Sequence, residues 1–191
     1  ILLSSPMSAE TIFFLLEKAK KFQVKIIIDL NWREVFWDYS NFSSNIIQRD
    51  RIDLIKKFLS YADVLKLAKE EATLFFENQN PYTISHQLLN RPDVIVTDGK
   101  NPVSWYINGF KGRTEILHSK QIVDTTGAGD AFLAGLISQF ILLGVPSDKT
   151  AIEYCVKFAS VCGLLTCLGE GAIEPQPNHE KINKFLGSRI L

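Results

Sequence analysis

The run Asp124, Thr125, Thr126, Gly127, Ala128, Gly129, Asp130 holds the residue types best suited to chemistry in this sequence. Small residues at 127–129 let the main chain come close to a ligand, and they precede an apolar stretch that reads as a helix over about 129–143. The first N–H groups of a helix find no partner inside it, and together with the helix dipole they favour an anion. Gly127, Ala128 and Gly129 are therefore candidate donors of an anion hole. Asp130, directly behind them, is an acid able to accept a hydroxyl proton. An acid in a first helical turn is also an ordinary answer to the dipole. Its company of anion donors points instead to the two halves of a phosphate transfer.

Other phosphate-handling patterns are missing. No Gly-x-x-x-x-Gly-Lys-Ser/Thr segment occurs, no protein-kinase motif set is found, and no Gly-x-Gly-x-x-Gly turn follows the first strand, which removes the dehydrogenase reading.

The elements that must position this run alternate in kind. Helical spacing over Ser8 to Phe22 precedes a β-branched run, Val24 to Ile28, that ends at Asp29. A helix follows at Asn45 to Leu59, a strand at Asp63 to Leu67, helices at Lys69 to Phe76 and Ile84 to Leu89, and a buried strand at Asp93 to Thr97. Val103 to Ile107 and Lys111 to Leu117 flank Asn108 and Gly109, a type I′ hairpin signal. A short strand is expected just before Asp124, with further helices at 149–166 and 179–186. This order predicts an α/β fold, a largely parallel sheet with helices on both faces, read as one domain over residues 1–191. Ligands of such sheets lie beyond the carboxyl ends of the strands, so the site loops are 29–38, 67–71, 97–101 and 124–130.

Composition bounds the partners. The chain has 191 residues, 46% hydrophobic and 22% charged, with 21 basic against 21 acidic side chains. That balance gives no footprint for nucleic acid or an anionic membrane surface and suits a small-molecule ligand. The longest apolar stretch, Ala131 to Val145, is too short and too interrupted for a membrane span. Cys155, Cys162 and Cys167 match no zinc or redox spacing and are expected as core thiols, which implies a reducing compartment. Ile1 to Pro6 carry neither an initiator Met nor a signal-peptide n-region, so the chain reads as truncated at its N-terminus.

Asp124 to Asp130, followed by Ala131, Phe132 and Gly135, resembles the C-terminal signature of the PfkB, or ribokinase-like, family of carbohydrate kinases. The resemblance extends over nearly the whole chain. Asp29, Asn31 and Arg33, ahead of Trp37, are similar to the D-x-N-x-R segment of the fructokinase and ketodeoxygluconate kinase branch. Val96, Thr97 and Gly99 resemble the nucleotide-binding strand end, and Gly169, Gly171, Ala172, Pro175 and Pro177 resemble the loop flanking the adenine and a monovalent ion.

The resemblance implies a ribokinase-like fold and ATP-dependent phosphorylation of a primary hydroxyl of a small sugar, fructose first. Asp130 would be the base, and Gly127, Ala128 and Gly129 the anion hole. Arg33 and Asn31 would bind substrate or phosphate, while Trp32, Phe36 and Trp37 read as packing residues. Thr97, Gly99 and Gly171 would contact the nucleotide. Mg²⁺ is implied, with Glu71 as an indirect partner, and K⁺ with Asp124 and Thr126 among its ligands. The family's N-x-x-E motif falls on Ala68, Lys69, Glu70 and Glu71, so the Glu is kept and the Asn is not; Pro102 replaces a further Gly. The N-terminal sugar-binding and lid region has no counterpart, which makes the isolated chain's activity doubtful. The full-length protein is expected in the cytoplasm or plastid stroma, as a homodimer through its lids. Two alternatives stay open: a kinase for another sugar, a sugar acid or a nucleoside, and a catalytically silent partner protein, which the altered position 68 favours and Asp130 opposes.

Overall fold

The computed structural model describes residues 3–33 and 45–187, and of residues 45–48 the backbone alone. Two compact units divide the chain, Ile1–Thr97 and Asp98–Leu191. Five strands form a mixed sheet and follow one another across it in chain order.

In the first unit, α1 (Pro6–Lys21) starts where the Ser5 hydroxyl accepts the Ser8 N–H and Pro6 supplies a preset first turn. Leu16 is its buried residue, with Ile12 and Phe13 packed partly against the same core. β1 (Ile27–Asp29), β2 (Val64–Ala68) and β3 (Asp93–Asp98) pair in parallel, Asp29 opposite Lys66 and Ala68 opposite Thr97. Leu65, Leu67, Val94 and Val96 are buried, as continuous apolar strands require. α2 (Asn45–Leu59), α3 (Lys69–Phe76) and α4 (Pro81–Gln87) complete this unit and bring Ile55, Leu59, Phe75 and Ile84 into its core.

In the second unit, β4 (Asn101–Ile107) and β5 (Phe110–Thr114) are antiparallel, with Ile107 opposite Phe110. Asn108 and Gly109 both take positive φ, +47° and +82°, as a type I′ turn demands. α5 (Ala128–Leu143), α6 (Lys149–Thr166) and α7 (His179–Gly187) follow. A Cβ at Gly135 would lie 2.6 Å from Cys162 Sγ and one at Gly163 would lie 2.9 Å from the Ala128 carbonyl oxygen. The missing side chains thus set how closely α5 and α6 approach.

Some boundaries differ from the sequence expectation. β1 begins at Ile27 because Val24 is exposed, and β5 stops at Thr114. The expected strand before Asp124 is absent: residues 115–125 are irregular, and the N–H groups of Val123 and Asp124 go instead to the Cys167 carbonyl. The three cysteines are free and buried, and burial pushes the Cys162 thiol up to about 11, so they behave as core residues. Among the described residues no helix is long and apolar enough to cross a membrane.

Candidate functional site

The loop before α5 is held by one side chain. Asp124 Oδ1 accepts the Thr126 N–H (2.9 Å) and hydroxyl (2.7 Å), while Oδ2 accepts the Gly171 N–H (3.0 Å). These donors draw the Asp124 carboxyl below its ordinary value. The carboxylate thereby clips the 124–127 turn to the loop after α6. Gly171 can receive that clip because its φ is +75°.

Gly127 is the N-cap of α5 at φ +78°, where a side chain would be strained and its Cβ would lie 2.6 Å from that of Ala172. The Ala128 N–H is donated to the Thr125 carbonyl at 3.2 Å, whereas those of Gly127 and Gly129 meet no backbone acceptor among the described residues. Asp130 occupies the first turn of α5 and is exposed. The second unit therefore brings together two main-chain N–H groups that meet no backbone acceptor among the described residues, an exposed acid and the clip that shapes the loop. Ala172 and Gly163 were not singled out as shaping residues by sequence reasoning. Gly163 signalled only small size, and Ala172 stood out only as part of the family-like 169–177 loop; their packing role acquires meaning once α6 and its following loop are seen against α5.

The first unit carries a different cluster. Lys66 Nζ lies 2.8 Å from Asp29 Oδ2, with the two side chains 8% and 12% exposed, and Asp29 Oδ1 is buried without a partner among the described residues. Glu71 Oε1 accepts the Trp32 N–H (2.6 Å) and Oε2 the Ala68 N–H (2.7 Å). The second contact is half of a capping box; Ala68 has no side-chain oxygen to supply the other half. Burial pushes the Glu71 carboxyl above its ordinary value, and the donors of Ala68 and Trp32 offset only part of that. Sequence reasoning overlooked Lys66, although a lone Lys in the apolar run Val64 to Ala68 signalled a buried partner.

Asn31 and Arg33 are exposed, Asn31 at φ +43°, and the Trp32 ring packs edge-on to Phe75 at 5.2 Å. Trp32 is thus the packing residue expected. Phe36 and Trp37 lie outside the described residues. Thr97 donates its hydroxyl to the Leu67 carbonyl (3.3 Å), and Gly99 sits at φ +53° in the turn before β4, with open space where a Cβ would project.

No group of three or more His, Cys, Asp or Glu side chains able to hold a metal occurs among the described residues. Each Glu71 oxygen already accepts one backbone N–H, so toward a divalent cation the carboxylate could offer only its remaining lone pairs, directly or through water. Asp124 and Thr126 could offer a monovalent cation only the lone pairs left over from the clip.

The family model for pfkB family carbohydrate kinases matches residues 2–179. The chain belongs to this family. Over 137 residues it is 34% identical to "Probable fructokinase-6, chloroplastic" of Arabidopsis thaliana, a match covering 68% of this chain and 35% of that one. The crystal structure of fructokinase with bound ATP from Xylella fastidiosa superposes with a TM-score of 0.85 at 25% identity, covering 99% of this chain and 60% of that protein. Fructokinase from Vibrio cholerae O395, in its form with fructose, ADP and calcium ion bound, gives a TM-score of 0.79 at 25% identity, over 97% and 58% of the two chains. The fold is ribokinase-like, as the resemblance implied, and this pfkB chain spans a third to three fifths of these relatives' length.

Proposed function

We propose that the protein carrying this chain transfers the γ-phosphoryl group of ATP to a primary hydroxyl of a small sugar, with fructose the leading acceptor. The observation that carries the reading is the α5 entrance, where main-chain donors at Gly127 and Gly129, without a backbone acceptor among the described residues, stand beside exposed Asp130. In this reading Asp130 accepts the proton of the attacking hydroxyl, and within the 127–129 run the Gly127 and Gly129 N–H groups steady the charge on the transferring group, the Ala128 N–H being held by the Thr125 carbonyl. Mg²⁺, when bound, would offset charge on the phosphates. Thr97, Gly99 and Gly171 serve the nucleotide, Arg33 and Asn31 serve the acceptor or its incoming phosphate, and K⁺ beside Asp124 and Thr126 would steady the same loop. The named relatives support fructose: the Vibrio protein carries fructose and ADP, and the Xylella protein ATP.

Three buried free thiols and the chloroplastic relative favour the cytoplasm or plastid stroma, and pairing through lids is the expected oligomer. The test is ADP release by the full-length protein with Mg²⁺ and ATP, offered fructose, ribose, ketodeoxygluconate and adenosine, beside an Asp130→Ala control. Turnover on fructose that vanishes in the control supports the reading. Turnover on another acceptor alone replaces the substrate. No turnover from folded, ATP-binding protein selects the second reading, a silent partner protein, which the loss of the Asn at position 68 favours.

A further inference from the structure

Trp32 is flanked by the two residues assigned to the acceptor, Asn31 and Arg33, and its own N–H is held by Glu71. The other Glu71 oxygen holds the N-terminus of α3 through Ala68. One buried carboxylate therefore bridges the strand exit after β1 and the corner between β2 and α3. The Leu30 N–H reaches the Lys66 carbonyl (3.4 Å), the Lys66 ammonium holds Asp29, and the Trp32 ring rests on Phe75. The segment 29–32 is thus fastened to β2 and α3 through Asp29, Leu30 and Trp32.

From this we infer that Glu71 is a positioning residue for the acceptor loop, acting on Asn31 and Arg33 through the Trp32 N–H rather than through a metal ion. The inference rests on the kinase reading for the role of Arg33, while the strap itself rests on geometry alone. A strap of this kind suits a site whose cap residue is Ala68. Ala68 supplies no side-chain oxygen, and Glu71 is the capping-box carboxylate that joins the α3 entrance to the loop. Lys66 supports the arrangement from below by holding Asp29, the residue where the loop leaves the sheet.

Glutamine is the informative replacement, because its amide keeps one accepting oxygen but turns an N–H₂ toward the second donor, so one of the two straps is lost. The experiment compares the full-length protein with Glu71→Gln, Arg33→Ala and the double variant. Readouts are the KM for the acceptor sugar, kcat, the Mg²⁺ concentration giving half-maximal rate, and amide exchange at Trp32 and Ala68. The inference expects acceptor KM to rise about tenfold in Glu71→Gln, as loss of an orienting contact commonly does. It also expects an unchanged Mg²⁺ requirement, faster exchange at Trp32 or Ala68, and no added KM cost when Glu71→Gln joins Arg33→Ala.

A raised Mg²⁺ requirement with acceptor KM unchanged would overturn it in favour of a metal role. So would unchanged protection of both amides, or KM costs that simply add. Absence of turnover on every sugar by the unmodified protein would sink the kinase reading instead, and amide exchange would still decide whether the strap exists.

Discussion

Asp29 and Asp124 are both aspartates at entrances to candidate site loops, and the chain treats them oppositely. Asp29 is nearly buried and answers to a buried Lys66 ammonium, with Glu71 close enough that its charge is felt there. Asp124 sits at the surface of its own unit and answers to N–H groups and a hydroxyl. The first cluster is organised by compensated charge in a low-dielectric surrounding, so removing one partner is costly. The second is organised by shape, with Gly127 against Ala172 and Gly163 against Ala128, so adding volume is costly. The proposed kinase reading accounts for the second design, since in that reading the backbone of the α5 entrance must be free to face an anion and Asp130 must meet the incoming acceptor.

The sharpest way to separate the two designs is at their acids. Asp130→Ala should lower kcat about a thousandfold, the scale of a lost general base. ATP binding and thermal stability should be essentially unchanged, since the side chain is exposed. Next, Lys66→Met should cost roughly 3–5 kcal/mol of stability by leaving Asp29 buried without its partner, measured by urea unfolding. If Lys66→Met is neutral, the claim that the first cluster lives on charge is broken.

Gly127→Ala tests the other side. The strained φ and the contact with Ala172 should displace the loop, with about 3 kcal/mol lost in transition-state stabilisation, read as kcat, and a smaller loss in unfolding free energy. An active Gly127→Ala variant would remove shape as the organising principle there.

The pH dependence of stability sharpens the contrast further. Asp124, held below its ordinary value, contributes stability that is present above the usual Asp range and lost as pH falls through it. Glu71, pushed above its ordinary value, works the other way: its contribution is present below the usual Glu range and lost as pH rises through the raised value. Urea midpoints against pH should therefore lose part of the falling limb in Glu71→Gln and part of the low-pH rise in Asp124→Asn. The smallest effect expected is that of Asp124→Asn at neutral pH. The Asn oxygen can still serve Thr126 while its N–H₂ cannot accept from Gly171, so faster Gly171 amide exchange should be the main change.

Most of the fold and part of the candidate site were legible in the sequence. Unbroken apolar runs such as Val94 to Val96 read as buried strands because a strand covered on both faces has no polar side to show. Asn108 and Gly109 read as a type I′ turn because few other residues tolerate two positive φ values in succession. The Asp124 to Asp130 run read as an anion site because its residue types leave the main chain bare, and its family followed from the same letters.

Contacts between residues distant in the sequence were not legible. Periodicity suggested a strand before Asp124, but the Cys167 carbonyl, more than forty residues on, took the N–H groups a strand would have used. Nothing local says that Gly127 meets Ala172, that Asp124 spends an oxygen on Gly171, or that Glu71 reaches back to Trp32. Sequence alone determined which segments bury themselves and which main-chain stretches stay open, because those follow from side-chain chemistry and local backbone preference. Only the tertiary structure decided which partner each buried carboxylate holds, because a hydrogen bond between distant positions depends on where packing places the donor.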